Sequence, residues 1–162
     1  MIAGKFRGTV LFSAVLLLFM PFSPAFSQLE EANSLWWNGE YSKAEEAYLE
    51  QVHGGLRERA ARLELAAHYR ALSEYGPAIE QYTALISKAE PKDRTVIDEI
   101  TIPMGECLYY SGRLNEAESA FRSVLDTSPG SLQALFGLGR TLFEKGNLAG
   151  ADAYLSIAAL LF

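Results

Sequence analysis

The sequence is poor in the residues that build chemistry. Cys107 is the only cysteine, so no intrachain disulfide can form and the fold has to be stabilised by packing. Inside an apolar helical stretch, a lone thiol reads as a small core residue. The two histidines, His53 and His68, have no second histidine or cysteine at ligand spacing, which speaks against a metal centre. Lys and Arg number 14 against 20 Asp and Glu, for a net charge of −6. An acidic balance disfavours nucleic acid and anionic lipid, both of which are gripped by clustered basic side chains. There is no Gly-rich phosphate loop and no Gly-x-Ser-x-Gly elbow, and the glycines of GLGRTLFEKG (137–146) fit helix packing better than nucleotide binding. The acidic pairs Glu30-Glu31, Glu45-Glu46 and Asp98-Glu99 are helix neighbours pointing about 100° apart, which suits solvated faces rather than paired catalytic carboxylates. The chain therefore reads as a non-enzyme with no cofactor and no metal.

Long apolar runs are equally scarce. The one that occurs, Thr9–Met20, follows the basic residues Lys5 and Arg7 and is ended by Pro21 and Pro24. Small residues come next at Ser23, Ala25 and Ser27, the pattern of a cleavable export signal over residues 1–27. The run is well short of the roughly 20 residues that a membrane span needs. Removing it takes away both basic residues and no acid, moving the net charge to −8. The mature chain, 28–162, is expected in the periplasm or outside the cell, without a stable membrane span.

What the sequence does have is a period. Tyr41, Ala44 and Tyr48 reappear 34 residues later as Tyr75, Ala78 and Tyr82. Gly105, Gly112, Leu114 and Ala117 reappear 34 residues later as Gly139, Gly146, Leu148 and Ala151. Between the two pairs the step is 39, so five residues are inserted around Pro91–Arg94. A fixed period near this length marks stacked helical hairpins. Helices are predicted over 29–37, 41–52, 56–72, 75–89, 94–110, 114–127, 131–144 and 148–161, with Gly, Ser or Asn at the turns. Pro103 falls inside the fifth, where it must kink the helix or mark its start.

In this register the chain resembles the tetratricopeptide repeat. The family has a small residue in mid helix A, a turn glycine followed by an aromatic or apolar residue, a small residue early in helix B and a large one a turn later. Here the helix A small positions are Ala32, Ala66, Gly105 and Gly139; those of helix B are Ala44, Ala78, Ala117 and Ala151. The large positions are Tyr48, Tyr82, Phe121 and Leu155, with closing prolines at Pro91 and Pro129. The resemblance implies an all-α fold: a right-handed α-solenoid of about four units over residues 28–58, 59–92, 98–131 and 132–162. Its small residues allow close helix approach, so a larger side chain there should overpack the crossing.

The resemblance also implies a protein or peptide partner held on a concave face made by helix A. Through the register that face carries Asn33, Trp36, Arg70, Glu106, Tyr109, Gln133, Phe136 and Arg140. Aromatic rings with arginine are the composition of an interaction hot spot. Trp37, Tyr110 and Phe143 suit either that groove or the core between units. A second expected surface is the C-terminal edge, because a solenoid normally ends in a polar cap and ADAYLSIAALLF (151–162) has none. Ile157, Leu160 and Phe162 should meet a partner or a second copy, unless the sequence is a truncated form. Three functions follow for comparison: an exported scaffold, an end-to-end building block of an envelope complex, and an accessory hydrolase, for which no residue speaks. If the signal reading is right, N-terminal sequencing of the exported protein should begin at Phe26 or Gln28; recovery of Met1 on membrane-bound protein would refute it.

Overall fold

The computed structural model describes residues 24–54 and 57–161. They form eight α-helices: α1 (Pro24–Trp37), α2 (Tyr41–Gly54), α3 (Glu58–Ala71), α4 (Tyr75–Lys88), α5 (Arg94–Tyr110), α6 (Leu114–Thr127), α7 (Leu132–Glu144) and α8 (Leu148–Leu161). No strand occurs among the described residues. Odd and even helices alternate as A and B members of four hairpins, and each packs mainly on its neighbours in sequence, with α5 also touching α7. This is an α-solenoid.

The turn from each A helix to its B helix is the same in all four units. Gly39, Ser73, Gly112 and Gly146 take left-handed φ of 80°, 62°, 78° and 79°. Their N–H groups donate to the carbonyls three residues back, as Gly39 does to Trp36, and the following residue donates five back, as Glu40 does to Leu35. That pair of bonds caps the last carbonyls of helix A and reverses the chain. Ser73 accepts the same conformation without the freedom of glycine, at a steric cost of about 1–2 kcal/mol.

The hairpins close on their small residues. Ala32, Ala44, Ala66, Ala78, Gly105, Ala117, Gly139 and Ala151 are all buried. The large B-helix residue then seals each unit against the next: Tyr48, Tyr82 and Phe121 are almost fully buried. Phe121 shows how tight this seal is. A methyl added at Gly105 of α5 would stand 2.8 Å from its ring, and one at Gly137 of α7 would stand 2.5 Å away. The ring is held between two helices and has nowhere to retreat. Leu155, the fourth member, is only half-buried.

Pro24 is the first described residue of α1. α5 runs over the expected span from Arg94 to Tyr110, so Pro103 lies within the helix and does not mark its start. One expectation needs correction. Asp98 is not on a solvated face. It is buried and accepts hydrogen bonds from Thr127 Oγ1 and, at 3.1 Å, from Ser128 Oγ. A carboxylate is tolerated there because these hydroxyls, at the C-terminal end of α6, replace the water it loses. The inserted residues are shared between the α4–α5 connection, where the Asp93 N–H donates to the Glu90 carbonyl, and the N-terminal end of α5, which at 17 residues is longer than the other described helices.

Gly→Ala inside a helix normally stabilises by about 0.5–1 kcal/mol. Gly105→Ala and Gly137→Ala should do the opposite, each costing about 1–3 kcal/mol by overpacking against Phe121. Thermal or urea unfolding followed by circular dichroism checks the sign.

Candidate functional site: the helix A face of units three and four

Tyr109 and Tyr110 end α5, one position before the turn, while Phe136 and Arg140 lie one helical turn apart on α7. Contact between α5 and α7 brings the four together. The Arg140 guanidinium sits 4.5 Å from the centroid of Tyr109, 5.4 Å from Tyr110 and 5.7 Å from Phe136. Its Nη2 donates to the Tyr110 hydroxyl at 3.3 Å. Three ring faces around one cation form an arrangement favourable by about 0.5–2 kcal/mol per good contact. No carboxylate lies within ion-pairing distance of Arg140 among the described residues, so its remaining donors are free to meet an acceptor.

A cavity of about 110 Å³ opens beside this cluster, lined by Glu106, Gln133, Gly137 and the floor ring of Phe121 as well as by the four cluster residues. Gly137 and Phe121, which are in close contact with each other, both line it. Glu106 is not free: Arg70 of α3 pairs with it at 2.8 Å. Tyr109 in turn donates to Glu144 at 3.4 Å. The local charge is close to balanced, with Arg140 as the cation that lacks an acidic partner.

The structure does not bring Trp36 into this cluster. Trp36 stacks on His68 at 3.8 Å with an interplanar angle of 7°, and Tyr41 covers it at 4.6 Å. It lines a separate cavity of about 110 Å³ with Glu45, Tyr69 and Glu74. The rings that sequence left open between core and groove are the exposed ones: Trp37 at 81%, Tyr110 at 54% and Phe143 at 59%. Trp36, Tyr109 and Arg140 are half-buried by their own neighbours. Asn33, placed on the same face by register, instead accepts a hydrogen bond from the buried Tyr48 hydroxyl. At the C-terminal edge Ile157 and Leu160 are exposed, as is Leu161, which sequence reasoning passed over; Phe162 lies outside the described residues. Cys107 is fully buried and its thiol is pushed up to about 11 by desolvation, which leaves it protonated and unreactive at neutral pH.

The comparisons with known proteins bear on the second half of the chain and on the fold. Residues 104–160, the third and fourth hairpins, match the tetratricopeptide repeat family model. The stretch from the middle of α5 through α8 carries tetratricopeptide repeats. Similar solved structures include MamA from Desulfovibrio magneticus RS-1, at 16% identity and a TM-score of 0.71, covering 85% of this chain and 75% of that one. A MamA structure designated MSR-1 aligns at 15% identity and a TM-score of 0.71, covering 85% and 76%. Another MamA crystal structure aligns at 19% and 0.70, covering 85% and 77%. At such identities the likeness is one of fold. No curated protein matches the sequence. Tetratricopeptide-repeat proteins act as protein–protein interaction scaffolds, and the repeat built here presents its aromatic–arginine cluster on helix A of units three and four.

His68 gives the first two repeats a pH response. Its Nδ1 is buried without a hydrogen-bond partner, and burial holds its pKa below the usual histidine value. The unfolded chain binds that proton near pH 6.5, the folded chain only at lower pH, so stability falls as pH drops through 6.5. The melting temperature should therefore decline from pH 7 to pH 5, and His68→Phe should decline less over the same interval. Parallel curves for the two proteins would remove His68 from this role.

Proposed function

We propose that this chain is an exported tetratricopeptide-repeat scaffold that holds an extended or helical segment of a partner protein along its helix A face. Export rests on the N-terminal pattern Lys5, Arg7, Thr9–Met20 and the small residues at 23–27. Among the described residues no helix is long and apolar enough to cross a membrane, which is compatible with that reading. The observation that carries the binding proposal is the Arg140 cluster, a cation set among three rings beside a cavity and left without a carboxylate.

In this reading Phe136 and Tyr110, both more than half exposed, supply the apolar contact. A well-covered ring is worth about 1.5–3 kcal/mol on burial. Arg140 orients the segment by a charge-assisted bond to a carboxylate of the partner. The Arg70–Glu106 pair borders the cavity and supplies polar edge rather than affinity, since exposed ion pairs contribute little. Trp36 stands apart with its own neighbours and plays no part in this contact.

Affinity capture from envelope extract, followed by mass spectrometry, identifies the partner. Tyr109→Ala combined with Arg140→Ala should then weaken its capture about tenfold or more. The same pair should cost folding about 1–2 kcal/mol, because both side chains are half-buried and Tyr109 packs only at the edge of the core. A large loss of melting temperature with capture intact would reassign both residues to structure.

A further inference from the structure

The first two repeats carry a second cavity, and its chemistry is the reverse of the one beside Arg140. Trp36 of α1, Tyr41 and Glu45 of α2, His68 and Tyr69 of α3, and Glu74 in the turn after α3 line a space of about 110 Å³. Three of these side chains are phenol or indole rings and two are carboxylates, and no lysine or arginine stands on the wall. None of the ion pairs among the described residues involves Glu45 or Glu74. Glu45 accepts a hydrogen bond from the Tyr69 hydroxyl through Oε1, but a neutral hydroxyl leaves the carboxylate's charge in place.

The charges around Tyr69 are of one sign. Burial raises the pKa of its hydroxyl first, and the carboxylates of Glu45, Glu74 and Glu80 raise it further, with no cation acting the other way. His68, the one basic group on the wall, is held below its usual pKa by burial and is neutral at pH 7. Glu46 and Glu50, exposed further along α2, extend the negative surface outside the cavity. The rings are set before any ligand arrives: Trp36 lies against His68 at 3.8 Å, and Tyr41 leans on Trp36 at 4.6 Å while staying nearly half exposed.

A negative, ring-lined space without a resident cation suits a cation from outside. A guanidinium is planar and weakly hydrated and carries five donors, so it can stack on a ring and meet two carboxylates at once; an ammonium is a strongly hydrated point charge. We propose that this cavity takes an arginine side chain of the partner segment, its guanidinium against Tyr41 and bonded to Glu45 and Glu74. By the 34- and 39-residue steps of the sequence, Trp36 stands at the register position of Tyr109. The two cavities therefore lie on equivalent stretches of helix A, one drawing a cation and the other, at Arg140, an anion. A segment held along that face places an arginine in the first two repeats and a carboxylate in the last two. This second step rests on the scaffold reading above, whereas the arginine cavity itself does not.

The sequence has two tryptophans, and Trp37 is exposed, so Trp37→Phe leaves Trp36 as the single indole reporter in the full chain. A capped peptide with one arginine between glycines should then shift the emission of Trp36 saturably. The citrulline peptide, similar in shape but uncharged, should bind about tenfold more weakly or worse, with the lysine peptide between the two. Glu45→Gln with Glu74→Gln should weaken the arginine peptide about tenfold while the helical signal is retained. No saturable shift, citrulline or lysine matching arginine, or unchanged binding in the double variant would overturn the proposal. Peptides carrying one arginine and one glutamate over a graded series of linker lengths test the shared segment. At the matching length they should bind about tenfold or more tighter than the arginine peptide, and Arg140→Ala should abolish that gain. No gain at any length would sink the shared segment and leave the arginine cavity standing.

Discussion

Everything in this molecule depends on how closely two helices can approach at a residue with no side chain, or with only a methyl. Each of the four hairpins has an alanine or glycine in helix A and another in helix B, and all eight are buried. This close approach lets a single large residue on helix B reach past its own hairpin and into the next. Tyr48, Tyr82 and Phe121 perform that role, and none of them could if the hairpin were held open by a larger side chain. The seal between Gly105 and Gly137 is its tightest form, with an aromatic ring trapped between two helices by the absence of two methyl groups. Phe121 and Gly137 also line the Arg140 cavity, so packing and site share residues.

The fold was largely legible because it is local. A period of 34 residues fixes the spacing of small residues, turns and large residues, and each of those has a direct physical consequence within one hairpin. The left-handed turn positions follow the 34, 39, 34 steps of the sequence, including Ser73, where glycine is missing. Asp98 was misread because the groups that decide its burial are distant in sequence. Its sequence neighbour Glu99 is exposed, and the hydroxyls of Thr127 and Ser128 that make burial tolerable come from another helix.

The candidate site was legible as a set of residues and illegible as an arrangement. Register placed Tyr109, Phe136 and Arg140 on one face, and the structure brings them together through α5–α7 contact. Register could not say that Trp36 would stack on His68, because that depends on the rotation of α3 against α1 and α2. Nor could it pair Arg70 with Glu106 across 36 residues. Side-chain partnerships between units are decided by small angles that a repeat pattern does not encode. Of the eight residues read onto the groove, those from the third and fourth hairpins stand together, with Arg70 of the second joined to them through Glu106.

Because each helix packs almost entirely on its neighbours in sequence, the chain has very few contacts that must wait for distant segments to meet. Short closure distances favour rapid folding, and a fold of this kind can begin at any well-formed hairpin and spread outward. The same property governs how it comes apart under tension. A pull along the solenoid has no long-range cross-link to break first, so hairpins yield one after another and can re-form in turn. A chain built this way extends by whole units, as a soft spring does, because each hairpin can open without unfolding those further along.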